Sequence, residues 1–324
     1  MTEPAPPSVA DLAERARKAR LPPQSIFAQH PAIGEQTLVD GTRCAVPYHS
    51  YHSDATIVWG AADAEWVKGA IKGPYTPLLG KDGRAQVALW AVEYKDTMLN
   101  PYKEYIIVFA VVPNGRGGTA PTVAFPHQQL QLFEDKQAYP YIYKLWLDKQ
   151  LPTNYGRQLL GCDKYFDPAM KVEYGRRTLT MEAHHVEGEL NAAEATTGPL
   201  VKGTIKFAEA GHLGSLISAF GLCRTLGMAA GVRGSWHVVN PPGIMDRTDS
   251  ALYNPVWTFH FETSPKFTSA PKAKGTSTRA VAPSGLEYGG ELKAMKFEAL
   301  LFQHDPKLRA VLLPPWSYTA VADC

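Results

Sequence analysis

No stretch of the 324 residues stays apolar long enough to cross a bilayer as a helix. The longest run, YIIVFAVV at 105–112, falls well short of the ~20 residues such a helix needs. Long basic runs are missing too. The 33 Lys and Arg are mixed with 31 Asp and Glu for a formal charge of +2, so neither a membrane nor nucleic acid is an expected partner. Cysteine is scarce: Cys44, Cys162, Cys223 and Cys324 include no Cys-x-x-Cys pair. No Asn-x-Ser/Thr acceptor occurs either, and both absences suit free thiols in a reducing cytoplasm. The opening MTEPAPPSVADLAERARKARLPP lacks an apolar core followed by a small-residue cleavage site, so no secretory signal is expected. Without a Gly-x-Ser-x-Gly elbow, acyl transfer by an activated serine has no motif. NGRGG at 114–118 follows a strand-like run without opening a helix, and reads as a hairpin turn.

What remains is an ordinary globular balance, 45% hydrophobic and 20% charged, with length for one large domain or two small ones. Ser8 with Asp11 forms a capping-box pattern ahead of VADLAERARKARL, a charged amphipathic helix suited to packing on a neighbouring subunit. ATIVW (55–59) reads as a strand, and Trp66, Val67 and Ala70 then recur at helical spacing. Runs rich in Val, Ile, Thr and aromatics follow at 85–94, 104–112, 141–148, 177–188, 200–210, 234–240 and 254–263. Most gaps between them are too short for helical crossovers, so mainly antiparallel pairing and an α+β class are expected. One helix is predicted at 212–227. The Pro-, Ser- and Lys-rich 264–285 reads as a solvated loop, with a mobile lid as the alternative.

Two places invite chemistry. His184 and His185 are adjacent in a strand, where side chains alternate between faces, so no shared metal ion is expected. The other is TNYGRQLLGCDKYFDP at 153–168. A helix capped by Thr153 or Asn154 and running through Lys164 would bring Gly161 and Arg157 near the face of that lysine. Gly161 would then clear space over the aliphatic stem, and Arg157 would anchor the segment or bind an anion. By itself a lysine near a helix end is ordinarily solvated.

GRQLLGCDKY resembles the Gly-Arg-Glu-x-x-Gly-x-Pro-Lys-Lys signature of the acetoacetate decarboxylase-like superfamily, whose first lysine forms a Schiff base with a keto substrate. NPYKEYIIVFAVVP is similar to the family's Tyr-x-Glu segment, and KVEYGRRTLTMEA to the strand after its lysine motif. The resemblance implies a mainly antiparallel barrel of that type over 46–324, with 1–45 as an N-terminal extension. It places the Schiff-base amine on Lys164 and the orienting carboxylate on Glu104, with Arg157 retained. Tyr102 or Tyr165 is the candidate donor to a developing oxyanion. The sequence also departs from the family: Asp163 stands for the proline, Tyr165 for the second lysine and Gln158 for the glutamate. The other pocket carboxylate has no clear match; its place falls near Leu89, with Glu93 the nearest candidate, and His52 is the nearest for the pocket arginine. The implied activity is a Schiff-base lyase acting on a keto acid or related small carbonyl substrate, with decarboxylation of a β-keto acid slightly ahead of aldolase or dehydratase chemistry. An enzyme of the same fold that no longer forms an imine, and a non-catalytic barrel holding an apolar ligand, are the other readings. No metal or cofactor is expected; a homo-oligomer is.

Overall fold

The structure, a computed structural model, describes residues 5–18, 23–114, 122–124, 127–162, 164–175, 178–186, 195–206, 232–239, 253–263, 266–269 and 286–320. In chain order the strands are β1 (Gly34–Thr37), β2 (Arg43–Val46), β3 (Tyr48–Ala62), β4 (Tyr75–Pro77), β5 (Leu79–Gly80), β6 (Ala85–Thr97), β7 (Tyr102–Pro113), β8 (Thr122–Val123) and β9 (Tyr139–Leu147). They continue as β10 (Lys164–Phe166), β11 (Lys171–Tyr174), β12 (Thr178–Val186), β13 (Ala195–Lys206), β14 (Val232–Val239), β15 (Tyr253–Thr263), β16 (Lys266–Ser269), β17 (Leu286–Tyr288) and β18 (Glu298–Ala320). The helices are α1 (Val9–Lys18), α2 (Ile26–Gln29), α3 (Ala64–Ala70), α4 (His127–Glu134), α5 (Gln150–Leu160) and α6 (Gly290–Ala294). Among the described residues no helix is long and apolar enough to cross a membrane.

Seven strands close a barrel in the order β7–β9–β14–β15–β18–β3–β6, with β6 returning to β7. Neighbours that all ran antiparallel would need an even number of strands. Seven therefore forces a parallel contact, and it falls between β9 and β14, where Val239 pairs with Tyr141. A second sheet, β11–β12–β13–β17, packs outside the barrel. Alternation along β6 and β7 serves both interfaces. Trp90, Val92, Ile106 and Val108 belong to one apolar cluster with Trp236 and Trp257, while Leu89, Ala91, Ile107 and Phe109 join Val172, Leu179 and Met181 in another. These strands are covered on both faces, which is why YIIVFAVV is apolar without interruption.

The α+β class and mainly antiparallel pairing agree with the sequence expectation, and the capping box is present, Ser8 N–H to Asp11 Oδ2 at 3.0 Å and Asp11 N–H to Ser8 Oγ at 3.2 Å. The helix it starts does not need a neighbouring subunit. Leu12 is buried on the chain's own core, and Arg15 reaches Asp96 at 2.6 Å and lies over the Tyr51 ring. The expected 45/46 boundary falls inside β2, which pairs with β1. Within 264–285, residues 266–269 form β16 against β18; the rest of that segment and the predicted helix at 212–227 lie outside the described residues. His184 and His185 take separate carboxylates, Asp167 at 3.0 Å and Glu291 at 3.0 Å.

A buried histidine on β3 sets an acid limit. His49 Nε2 faces the His30 carbonyl at 2.8 Å and Nδ1 faces the Tyr51 hydroxyl at 3.1 Å, so the neutral ring is satisfied. Burial pushes its pKa down to about 4. The unfolded chain binds this proton near the ordinary histidine value of about 6.5, the folded one only near 4, so protonation favours unfolding as pH falls through that window. About 3 kcal/mol should be lost between those limits. Urea unfolding at pH 7 and pH 4.5 should show the loss, and His49→Gln should flatten it; an unchanged slope in the variant would assign the acid sensitivity elsewhere.

Candidate active site

The site is built where α5 turns into β10. Gly161 ends the helix in the left-handed region (φ 62°, ψ 26°), and the Cys162 N–H reaches back to the Gly156 carbonyl at 3.0 Å. Glycine takes that conformation without a Cβ penalty. The helix therefore stops four residues before the lysine, not through it as the sequence suggested. It begins at Gln150 rather than near Tyr155, and Thr153 donates its hydroxyl to the Lys149 carbonyl within it instead of capping. Lys164 opens β10, paired in parallel with Leu145 of β9. Arg157 Nε donates to the Lys164 carbonyl at 2.7 Å, holding the main chain of the lysine against the helix. Space over the stem comes from Gly156, not Gly161: a Cβ there would meet Lys164 Cδ at 2.2 Å and Cε at 2.0 Å.

From β10 the side chain of Lys164 enters the barrel. Its Nζ lies 3.1 Å from Glu104 Oε1, and the two side chains are only 8% and 5% exposed. Glu104 is on β7, opposite Val92 of β6 and Leu147 of β9. Its second oxygen accepts a 2.6 Å hydrogen bond from the Tyr94 hydroxyl. Tyr94 pairs with Tyr102 across β6 and β7, their rings stacked at 4.3 Å, and the Tyr102 hydroxyl meets that of Tyr48 at 2.7 Å. Burial drives the pKa values of Tyr48, Tyr94 and Tyr102 well above the ordinary tyrosine value, and the negative charge of Glu104 adds to this at Tyr94. All three are therefore hydroxyl donors at neutral pH.

These groups line one cavity of about 100 Å³ inside the barrel. That is room for several waters or a molecule of a few heavy atoms. The rest of its wall is apolar, contributed by residues such as Trp90, Ile106, Ile142, Trp257, Phe259 and Leu312. Glu104 and Lys164 are the only charged residues among the described lining.

No family model and no curated protein matches the sequence. Solved structures do. The chain is similar in structure to acetoacetate decarboxylases. One such enzyme superposes with a TM-score of 0.49 at 12% identity over 85% of this chain and 89% of its own. A second, from Legionella pneumophila subsp. pneumophila str. Philadelphia 1, gives 0.48 at 13% identity over 85% and 87%. An acetoacetate decarboxylase-like enzyme from Sphingomonas wittichii RW1 gives 0.44 at 11% over 85% and 93%. Likeness at this level carries no argument about activity, which has to come from the side chains themselves.

Of the residues singled out from sequence, Lys164, Glu104 and Tyr102 line the cavity. Four others do not. Arg157 is turned to the main chain of Lys164. Tyr165, one residue along β10 from Lys164, packs outside the barrel against Trp146, ring centroids 5.8 Å apart, with Lys144 Nζ 5.6 Å over its ring. Glu93 is one residue from the inward-facing Tyr94, so alternation sends it outward, to within 3.5 Å of Lys95 Nζ. His52 is 42% exposed beside Asp54. Asp163 lies outside the described residues. Sequence reading missed Tyr94, Tyr48, Tyr155 and Cys162, which also line the cavity. Once Glu104 is placed inside, pairing of β6 with β7 makes Tyr94 its diagonal neighbour; without the register nothing distinguishes Tyr94 from Glu93.

Proposed function

We propose that the protein is a lysine-imine carbon–carbon lyase acting on a small carbonyl compound. The observation that carries this reading is the Lys164–Glu104 pair, held at 3.1 Å inside a largely apolar cavity whose other polar groups are uncharged. An amine attacks a carbonyl only when unprotonated, and Glu104 is placed to take that proton. Glu104 accepts the ammonium proton; Lys164 Nζ then bonds to the carbonyl carbon while one of its own two protons passes to the carbonyl oxygen, giving a neutral carbinolamine. Returned from Glu104 to the hydroxyl, the proton releases water and leaves an iminium facing a carboxylate. Tyr94, donating to the other carboxylate oxygen, keeps Oε1 turned to the nitrogen throughout. The iminium then draws electrons from a bond one carbon removed, and that withdrawal is what every lyase of this type requires.

The apolar wall equally suits a barrel that only holds a ligand, and trapping separates the two. Incubation with small ketones and keto acids plus cyanoborohydride, which reduces iminium ions in preference to ketones, should add the substrate mass less one oxygen to the peptide bearing Lys164. Lys164→Met should remove that adduct completely. Absence of any adduct, with ligand binding intact in the variant, would make this a binding protein.

A further inference from the structure

We infer that the carbonyl compound accepted by this site carries no charge: a ketone or aldehyde with apolar substituents, not a keto acid. The inference rests on the imine reading above and narrows it. The charges through the reaction decide it. The resting pair is an ammonium and a carboxylate, the carbinolamine stage is a neutral adduct beside a protonated carboxyl, and the iminium stage is again one cation against one anion. With an uncharged carbonyl each stage balances inside the cavity. A keto acid adds one negative charge to all of them, directly beside Glu104.

Among the described lining residues no further cation answers that charge; the buried indole N–H groups of Trp90 and Trp257 are neutral. Lys164 becomes the iminium and is already opposed by Glu104 at 3.1 Å. The Tyr94 hydroxyl is committed to Glu104, and the single bond between the Tyr48 and Tyr102 hydroxyls leaves one O–H proton over, a neutral donor that cannot balance a full charge. Arg157, the nearest cation in sequence, donates to a main-chain oxygen and does not line the cavity. A carboxylate would lie among Trp90, Ile106, Ile142, Trp257 and Phe259, stripped of water and without a cation.

The chemistry follows. With no carboxylate to expel, the electrons entering the iminium come from a Cα–H bond or, in a β-hydroxy ketone, from the Cα–Cβ bond. In the second case Glu104 takes the hydroxyl proton, the Cα–Cβ bond breaks, an aldehyde leaves and the pair neutralises the iminium as an enamine. The proton on Glu104 returns to Cα, and a solvent water hydrolyses the resulting iminium to a ketone and the Lys164 ammonium.

Matched probes test this. Isobutyl methyl ketone replaces the carboxylate of acetoacetate with an isopropyl group, and isopropyl methyl ketone does the same for pyruvate. Rates of cyanoborohydride labelling at Lys164 are measured for all four, each divided by the rate with α-N-acetyl-lysine to remove intrinsic reactivity. The ketones should label at least about tenfold faster than their acids, and Glu104→Gln, which removes the opposing anion, should narrow that ratio to about threefold or less. Labelling by the acids at equal or greater rates overturns the inference and leaves the imine reading standing, as does a ratio unchanged in Glu104→Gln. No labelling by any probe overturns both.

Discussion

Lys164→Met and Glu104→Gln, made singly, should each destabilise the protein by about 3–5 kcal/mol, because either leaves a buried charge without its partner. The double variant should cost much less than the sum. It removes both charges, and the glutamine oxygen still accepts from the Tyr94 hydroxyl, so what is left without a partner is a neutral amide N–H and not a charge. Urea unfolding of the four proteins gives the coupling energy directly. Single losses under about 1 kcal/mol would mean that the pair behaves like an exposed ion pair and that water fills the cavity. Because the double variant has no amine, it also serves as the folded control in labelling experiments.

Gly156→Ala should separate folding from reactivity. The added Cβ would lie 2.0 Å from Lys164 Cε and 2.9 Å from Nζ, distances no structure tolerates. The helix backbone is held by the Gly156 carbonyl, which accepts from Cys162, so the lysine stem has to move. Overpacking and a strained rotamer cost about 1–3 kcal/mol, against a gain of about 1 kcal/mol in helix propensity, so stability should change by no more than about 2 kcal/mol. An amine displaced by about 1 Å should lose on the order of 10²-fold in reactivity. Gly161→Ala offers the contrast: strain at a positive φ should cost about 1 kcal/mol in stability. Thermal melting and the Lys164 labelling rate, measured on the same samples, check both. An unchanged labelling rate in Gly156→Ala would show that the stem does not need the groove left by this glycine.

Much of the strand content was legible because it is local. Runs at 85–94, 104–112 and 254–263 carry β-branched and aromatic residues between turn residues, and the structure extends each by only a few residues, if at all. The last long strand was not legible. β18 runs from Glu298 to Ala320 but carries Asp305, Pro306 and Lys307 in its middle, and Lys307 has φ 60°. Turn chemistry in the middle of a strand looks like its end, yet here the pairing with β3 shifts register at that point and resumes at Leu308. The clearing of space over the lysine stem was assigned to the wrong glycine for a similar reason. Spacing along an assumed helix put Gly161 beside Lys164, whereas the left-handed turn at Gly161 folds the lysine back onto Gly156.

The residue order by itself determined the alternation of the strands, the apolar character of those covered on both faces, and the presence of a lysine motif and a Tyr-x-Glu segment. Which of two adjacent residues faces the cavity was decided only by the tertiary structure: Tyr94 and not Glu93, Lys164 and not Tyr165. The reason is that a shift of one residue between paired strands turns every side chain to the other face. That register depends on contacts between segments far apart in the chain, such as the pairing of β18 with β3 that helps to close the barrel around one amine and one carboxylate.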